Sequence, residues 1–208
     1  MRTALVVIDM QNAFAIPTNI MKEPLPNIKK LHAFFDRRGW PVVFTQHGHT
    51  DEDLTPPFKN QLVRKLGPDN VLKTGSKDWE LIPEIWKITK DAPVVAKNTF
   101  NAFQSHELGR ILQSNEVDRV VITGVKTINC CLATSISALT QDYDTWLVSD
   151  ACASDTQGDH GTGIRAAQAD LIDTPTTEEA ITLLTKELQL DARSSTNVRH
   201  SDRWQGRS

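Results

Sequence analysis

The sequence predicts an α/β fold, in which one parallel sheet is covered by helices on both faces. Short apolar runs rich in β-branched residues alternate along the chain with longer stretches of helical period, a pattern typical of βαβ units. The chain has 208 residues, enough for one sizeable core and short for two complete domains. Hydrophobic residues make up 39% and charged residues 24%, which is ordinary for a globular protein.

Six runs are predicted as strands, and the sixth has the weakest apolar pattern. They are residues 3–8, 41–45, 93–96, 119–123, 145–149 and 169–172. Helices are predicted between and after them, in "NIKKLHAFFDRRG", "SHELGRILQSNEV", "NCCLATSISALTQD", "HGTGIRAAQA" and "TTEEAITLLTKELQL". Right-handed crossovers would place the carboxyl ends of all the strands at one edge of the sheet.

Two segments depart from this alternation. Residues 51–90 are rich in proline, glycine and charge and include Trp79 and Trp86. We expect a long connection with short helices there, which serves as a lid or binding loop or simply packs on the surface. The single domain is expected to span residues 1–192. Residues 193–208 have no apolar period, so we expect a mobile tail, with docking on a partner subunit as the alternative.

Charge and cysteine content restrict the partners and the compartment. The net charge of −3 gives no reason to expect nucleic acid or an anionic membrane as a partner. The first apolar run is too short for a signal peptide, and no run is long enough to cross a membrane. Three cysteines form no paired disulfide framework, so we expect a cytoplasmic protein.

Polar and reactive residues follow the predicted strands where the strands end. They are Asp9, Gln46, His47, Lys97, the turn at 124–130 and Asp150. Ligands of open α/β proteins bind at this edge. Each residue alone could simply mark where a buried strand emerges, but an acid, a lysine and a thiol together favour a catalytic site.

Two adjacent cysteines follow the fourth predicted strand. A helix that begins near residue 128 has an apolar stripe consisting of Ile128, Cys131, Leu132, Ile136 and Leu139. Cys131 is therefore interpreted as a small buried hydrophobe. Cys130 lies about 100° away around the helix, in the first turn, where free N–H groups and the helix dipole favour a thiolate. Cys130 is the candidate nucleophile, and Cys152 is expected in the core.

Three of these segments resemble the isochorismatase-like cysteine hydrolases, a superfamily that includes nicotinamidases and N-carbamoylsarcosine amidase. "ALVVIDMQNAF" is similar to the opening "VxDMQNDF", "VVAKNTFNAF" to the lysine segment, and "ITGVKTINCCLAT" to the segment G-V-x-T-x-x-C-V-x-x-T. The motifs occur in the right order, and the resemblance covers residues 3–188.

The resemblance implies a Rossmann-like three-layer α/β/α sandwich and a catalytic triad of Asp9, Lys97 and Cys130. It also implies a cis peptide between Val125 and Lys126, and an oxyanion hole made by the backbone amides of Lys126 and Cys130. In this scheme Asp9 is the general base and Cys130 forms an acyl-enzyme. No cofactor is implied, and a homodimer or homotetramer is expected.

Three hypotheses about function follow from the resemblance. The leading one is hydrolysis of a C–N bond in a small amide, imide or ureide through a thioester. The second is an isochorismatase that cleaves the vinyl ether of isochorismate to pyruvate and a dihydroxybenzoate precursor. The third, a non-catalytic scaffold, is disfavoured by the complete set of Asp9, Lys97 and Cys130.

Several positions depart from the family pattern. The second acid of "DMQNDF" is replaced by Ala13. Lys126 stands where a small residue is usual; its side chain either points to the pocket mouth, favouring an anionic substrate, or lies in solvent, which we expect. "TQHGHTDED" replaces the metal-binding D-x-H of nicotinamidases, so we expect neither a catalytic metal at His47 and His49 nor nicotinamide as substrate.

The pocket walls are predicted from aromatic and imidazole side chains that flank the motifs. Phe14, Trp79, Phe100 and Phe103 are the aromatic candidates for a cup around a small substrate, although each could equally belong to the core. His47 is a further pocket candidate. His160 in "GDHGTG" is interpreted as a structural residue at a helix start rather than as a catalyst.

Overall fold

Five parallel strands form the sheet in the computed structural model, which describes residues 1–15 and 22–201 and the side chains of 1–14 and 22–193. The strands are β1 (Thr3–Ile8), β2 (Val42–His47), β3 (Val94–Lys97), β4 (Arg119–Val125) and β5 (Asp144–Ala153). Their order across the sheet is β3-β2-β1-β4-β5, and every neighbouring pair is parallel. The predicted α/β class is confirmed.

Eight α-helices connect or flank these strands within the described residues. They are α1 (Asn12–Ala15), α2 (Leu25–Asp36), α3 (Gln61–Leu66), α4 (Pro83–Thr89), α5 (Glu107–Ser114), α6 (Leu132–Leu139), α7 (Gln157–Ala169) and α8 (Thr177–Ser201). Two 3₁₀ turns (Pro68–Asn70 and Ala102–Ser105) and one π-helical turn (Thr127–Cys131) complete the regular structure. None of the described helices is both long enough and apolar enough to cross a membrane.

The sixth predicted strand is wrong. Ala169 is the last residue of α7, and Ile172 is buried after the turn that follows. The chain then runs beside β5, with one isolated bridge between Trp146 and Asp173 and with backbone hydrogen bonds from the Leu147 and Ser149 amides to the Asp173 and Pro175 carbonyls. The apolar pattern at 169–172 therefore reflects the end of a helix and one buried anchor rather than an extended segment.

The C-terminal helix extends into the predicted tail. Helix α8 continues to Ser201, so residues 193–201 have helical backbone, and residues 202–208 lie outside the described residues. Mobility of 193–208 and a domain limit at residue 192 stay predictions.

Two apolar layers cover the sheet, because successive side chains of a strand point to opposite faces. Leu5 and Val7 face one layer, whose helical residues come from α2, α4 and α8. Ala4, Val6 and Ile8 face the other layer, formed by α5, α6 and α7. A fully buried Leu, Ile or Phe side chain contributes about 1.5–3 kcal/mol, so these layers hold the strand ends in fixed positions.

The strand order determines where a site can form. The chain runs outward from β1 through β2 to β3 and then returns to the other side of β1 to form β4 and β5. The connections after β1 and β4 therefore diverge, and a crevice opens between the carboxyl ends of these two strands. Asp9 follows β1 directly, and the turn containing Cys130 follows β4.

Gly124 allows β4 to approach β1 at this crevice. Its φ angle is +110°, and a Cβ atom built there would lie 2.1 Å from the carbonyl oxygen of Ile8. A residue with a side chain would therefore push β1 and β4 apart beside Asp9.

We predict that Gly124→Ala lowers the free energy of unfolding by about 3 kcal/mol or more, because a left-handed φ and a backbone clash act together. Gly39→Ala is the matched control, since Gly39 has φ +62° with nothing within 4 Å of its Cβ position, and it should cost about 1 kcal/mol. Urea denaturation of both variants measures the difference. Equal losses would show that β1 and β4 do not need this close approach.

Candidate active site

A buried ion pair lies at the carboxyl edge of the sheet. Lys97, the last residue of β3, places its Nζ atom 2.6 Å from Oδ2 of Asp9, and both side chains are fully excluded from solvent. Thr45 on β2 donates a hydrogen bond to Asp9 Oδ1 (2.6 Å), and Lys97 Nζ donates one to the Thr99 carbonyl (3.0 Å). Three adjacent strands thus fix both charges.

The two carboxylate oxygens of Asp9 have different surroundings. Oδ1 accepts the hydrogen bond from Thr45, whereas no donor among the described residues is aligned on Oδ2 for a conventional hydrogen bond. Oδ2 contacts the Lys97 ammonium through charge attraction. It is therefore the oxygen with capacity to accept a further proton.

The thiol of Cys130 completes this cluster. It lies close enough to Asp9 and Lys97 for side-chain hydrogen bonding to affect its pKa. Burial and the negative charge of Asp9 raise the pKa of Cys130 to about 12, although Lys97 lowers it in part. Cys130 lies in the π-helical turn rather than in the first turn of an α-helix. The predicted thiolate is therefore wrong for the free protein, whose thiol is protonated near neutral pH.

Lys97 stays charged in this environment. Burial lowers the pKa of its ammonium group, but Asp9 and Cys130 raise it, and the net pKa lies above that of free lysine. One negative and one positive charge therefore already balance beneath the thiol. Ionising the thiol would add an uncompensated buried charge.

The structure separates the two adjacent cysteines. Cys130 borders a cavity, whereas Cys131 is fully buried in the core cluster beside Cys152. The Cys152 thiol is directed at the Ile122 carbonyl (3.9 Å). The predicted apolar stripe is only partly right, since Cys131 is buried, Ile128, Leu132 and Leu139 are half-buried and Ile136 is exposed. The buried residues of α6 are instead Thr134, Ser135 and Ala138.

A cavity of about 300 Å³ lies above Cys130. Its lining combines apolar, imidazole and carboxamide groups with one lysine: Phe14, His47, His49, Leu62, Leu66, Asn70, Val71, Leu72, Phe100, Val125, Lys126, Asn129 and Cys130. The peptide bond between Val125 and Lys126, at the cavity wall, is cis, as the resemblance implies.

Two of the five predicted pocket residues lie outside the cavity. Phe14, His47 and Phe100 line it, but Trp79 and Phe103 are absent from the described lining. Trp79 faces a neighbouring cavity that it shares with Trp86. Phe103 is buried in the core and stacks on Tyr143, with ring centroids 5.9 Å apart. Phe103 lies in the 3₁₀ turn after β3 and packs into the apolar layer of α5, α6 and α7.

The cavity walls that the sequence did not predict come from residues 51–90. Leu62, Leu66 and the stretch 70–72 line the cavity, so this connection forms part of the cavity wall. Its residues are ordinary leucine, valine and asparagine without periodicity or a reactive group. Their role depends on how α3 folds over the strand ends, for which no local sequence signal exists.

The sequence analysis also did not identify Gln11, which links three segments at the carboxyl edge of the sheet. Its Nε2 donates to the carbonyls of His47 (3.0 Å) and Trp79 (2.6 Å), and its Oε1 accepts from the His47 amide (2.8 Å). Gln11 is fully buried. It therefore links the loop after β1 to the end of β2 and to the long connection.

His47 and His49 are neutral imidazoles in the cavity wall. Burial and the Lys97 charge lower the pKa of His47 to about 4, and burial lowers the pKa of His49. Their rings lie 5.2 Å apart, and both nitrogens of the fully buried His49 lack a hydrogen-bond partner among the described residues. Asp53 Oδ2 is 3.9 Å from His49 Nδ1.

The imidazoles of His47 and His49 are the candidate metal ligands. A catalytic zinc site usually has three protein ligands at about 2.0–2.3 Å from the ion. Within the described residues, no group of three or more His, Cys, Asp or Glu side chains could hold an ion. His47 also directs Nδ1 at the Thr99 carbonyl (3.3 Å).

His160 has the structural position that the sequence predicts, at the start of a helix. His160 Nδ1 lies 2.9 Å from Thr127 Oγ1, a contact between the start of α7 and the π-helical turn, while Thr156 caps α7. Lys126 is among the residues that line the cavity, and its side chain, which is 29% exposed, pairs with the more exposed Asp155 at 2.6 Å. Whether this lysine meets a substrate stays a prediction.

We predict that Cys130 of the free protein reacts slowly with iodoacetamide and that the rate still rises well above the pKa of free cysteine, about 8.5. Asp9→Asn should lower the Cys130 pKa and speed labelling at a given pH, because the Asp9 charge is one cause of the raised value. Peptide mass spectrometry with Cys130→Ser as control identifies the labelled site. A labelling rate that levels off below the free-cysteine pKa in the unsubstituted protein would contradict the protonated thiol.

Several known proteins are similar to this chain in sequence or in structure. Nicotinamidase 3 of Arabidopsis thaliana is 32% identical over 152 residues, which are 73% of this chain and 73% of that protein. A probable inactive nicotinamidase of the same plant is 31% identical over 85% of this chain and 93% of its own length. The solved N-carbamoylsarcosine amidase of Thermoplasma acidophilum is 26% identical, with a TM-score of 0.71 over 86% of this chain and 98% of that chain.

The family itself is identified over most of the chain. Residues 3–179 match the isochorismatase family, described as an isochorismatase domain. This range contains all five strands and the complete cluster of Asp9, Lys97 and Cys130. The chain belongs to the isochorismatase family and is a hydrolase of the isochorismatase-like superfamily.

Proposed function

We propose that the protein hydrolyses a C–N bond of a small amide, imide or ureide, with Cys130 as nucleophile. The observation that carries this proposal is the Cys130 thiol at the floor of a cavity, next to the buried ion pair of Asp9 and Lys97. The cavity volume of about 300 Å³ lies at the small end of ligand pockets. It therefore suits a small molecule rather than a peptide or a polymer.

The first step couples proton transfer to attack. Because the resting thiol is protonated, Asp9 Oδ2 takes the thiol proton as Cys130 Sγ bonds to the carbonyl carbon. The carbonyl π electrons move onto its oxygen. The backbone amides of Lys126 and Cys130 are proposed to donate to this oxyanion, whose charge develops only as the bond forms.

The second and third steps return the proton and consume water. Asp9 gives its proton to the leaving nitrogen, the C–N bond breaks, and ammonia or an amine departs from a thioester on Cys130. Asp9 then removes a proton from water, the resulting hydroxyl attacks the thioester, and the proton passes to the sulfur as the acid leaves. The net reaction is addition of one water across the C–N bond.

Lys97 supports these steps through its fixed charge. Its ammonium group lies 2.6 Å from Asp9 Oδ2 and compensates the buried carboxylate before the proton moves. When Asp9 is protonated and sulfur carries charge, the same cation stabilises the sulfur. Lys97 is therefore proposed as an electrostatic stabiliser rather than as an acid, in keeping with its raised pKa.

The vinyl-ether reaction of isochorismate is the alternative outcome. That reaction needs an acid to protonate the enol ether carbon and needs no sulfur nucleophile. A thiol placed at the cavity floor beside a proton acceptor favours the C–N reaction instead. Measuring pyruvate release from isochorismate alongside ammonia release from amides separates the two.

An oligomer is proposed as well, as a homodimer or homotetramer in the cytoplasm. Leu66 and Phe100, which line the cavity, are 54% and 38% exposed. A neighbouring subunit that covered these side chains would close the cavity mouth.

We predict that Cys130→Ala reduces ammonia release by about a thousandfold or more, because no other group can form the thioester. Cys131→Ala is the matched control: it should retain turnover within about threefold while lowering the free energy of unfolding by about 1 kcal/mol or more, since it leaves a small void in the core. A panel of amides and ureides with isochorismate, assayed for ammonia and pyruvate, measures both.

Equal loss of turnover in the two variants would refute the assignment of Cys130. Pyruvate release that survives Cys130→Ser would favour the vinyl-ether chemistry.

A further inference from the structure

Among the described residues that line the cavity, Lys126 is the one that carries a formal charge. Its backbone follows β4, four residues before Cys130, and its Nζ atom is 5.9 Å from the centre of the Phe14 ring. Phe14 lines the same cavity. The cation is thus held over the apolar wall, between the cavity and Asp155.

The remaining lining offers no competing charge. His47 and His49 are neutral near pH 7, because burial lowers the pKa of both. Asn70 and Asn129 contribute carboxamides, and the other lining residues besides Cys130 are apolar. No carboxylate lines the described cavity, since Asp9 lies beneath it in the ion pair with Lys97. An anion entering the cavity would therefore meet a cation and no like charge.

The existing partner of Lys126 is easily replaced. Lys126 and Asp155 have side chains that are 29% and 56% exposed, so water and salt screen their attraction. A substrate carboxylate that is partly buried against Phe14 would be screened less than Asp155. Lys126 would then pair with the substrate carboxylate in preference to Asp155.

We propose that the substrate is an anionic amide, whose carboxylate binds Lys126 in place of Asp155 while its C–N bond faces Cys130. This inference rests on the proposed function for the identity of the scissile bond, but the carboxylate site is testable by binding alone. An apolar spacer between the two groups would lie along Phe14 and Phe100. Lys126 is thus a specificity-determining residue.

The test compares half-amides of dicarboxylic acids with their neutral diamides, which have nearly the same shape. Malonamate, succinamate and glutaramate are titrated against malonamide, succinamide and glutaramide by calorimetry, using protein with Cys130→Ala so that no turnover occurs. At least one half-amide should bind about tenfold or more tightly than its diamide, as expected for a charge-assisted contact. This preference should fall as salt is raised.

Two further variants, made in the Cys130→Ala protein, should change half-amide affinity in opposite directions. Lys126→Met keeps the length and the backbone amide but removes the charge, so it should abolish the preference and weaken half-amide binding far more than diamide binding. Asp155→Asn removes the competing partner and should strengthen half-amide binding several-fold. A surface ion pair without a binding role would give neither effect.

Three results would overturn the inference: no half-amide binding more tightly than its diamide, Lys126→Met weakening both ligands equally, or Asp155→Asn weakening half-amide binding. Ammonia release by the protein that retains Cys130 tests the proposed function separately. Charge-selective binding that depends on Lys126, without ammonia release from any half-amide, would contradict the proposed hydrolysis and support the carboxylate site.

Discussion

The ion pair between Asp9 and Lys97 is the constraint on which the site depends. Removing two charges from water costs several kcal/mol per ion, and the attraction offsets this only with good geometry and further hydrogen bonds. Here the supporting hydrogen bonds come from Thr45 and the Thr99 carbonyl. Asp9, Thr45 and Lys97 come from three adjacent strands, so the sheet register sets the geometry. A shift of one residue in any of them would leave a buried charge without its partner.

The same pair explains why the thiol is protonated at rest. Many reactive cysteines gain a lowered pKa from a nearby cation or a helix N-terminus. At Cys130 the nearby cation is already paired with a carboxylate, so burial and the Asp9 charge dominate and raise the pKa. Such a thiol is protected from alkylation and oxidation, which act on the thiolate. Its reactivity must develop when a substrate carbonyl is present to receive the electrons.

The sequence predicted the parts of the structure that depend on local pattern. The five strands, the placement of Asp9 and Lys97 at strand ends, and the burial of Cys131 follow from apolar periodicity and from parallel topology. Residues 169–172 were misjudged because a buried anchor at Ile172 resembles a short strand. The cavity walls at Leu62, Leu66 and 70–72 were missed because tertiary folding of an aperiodic segment places them.

The sequence also could not predict the electrostatic properties of the site. The protonated thiol depends on the depth of burial and on the balance of two other charges, which only coordinates provide. The position of Lys126 over Phe14 likewise depends on how the turn after β4 leaves the sheet. Residue identity left both alternatives open for this lysine, which borders the cavity and pairs with Asp155 at its outer side.

The proposed mechanism requires that Cys130 forms a covalent acyl intermediate. Acid-quenched turnover followed by peptide mass spectrometry tests it most directly, with an amide that the protein hydrolyses as substrate. The mechanism predicts an added mass equal to the acyl group on the peptide that contains Cys130, removable by hydroxylamine and absent in Cys130→Ala. Product formation with this peptide unmodified at every quench time, or with the acyl group on Cys131, would contradict it.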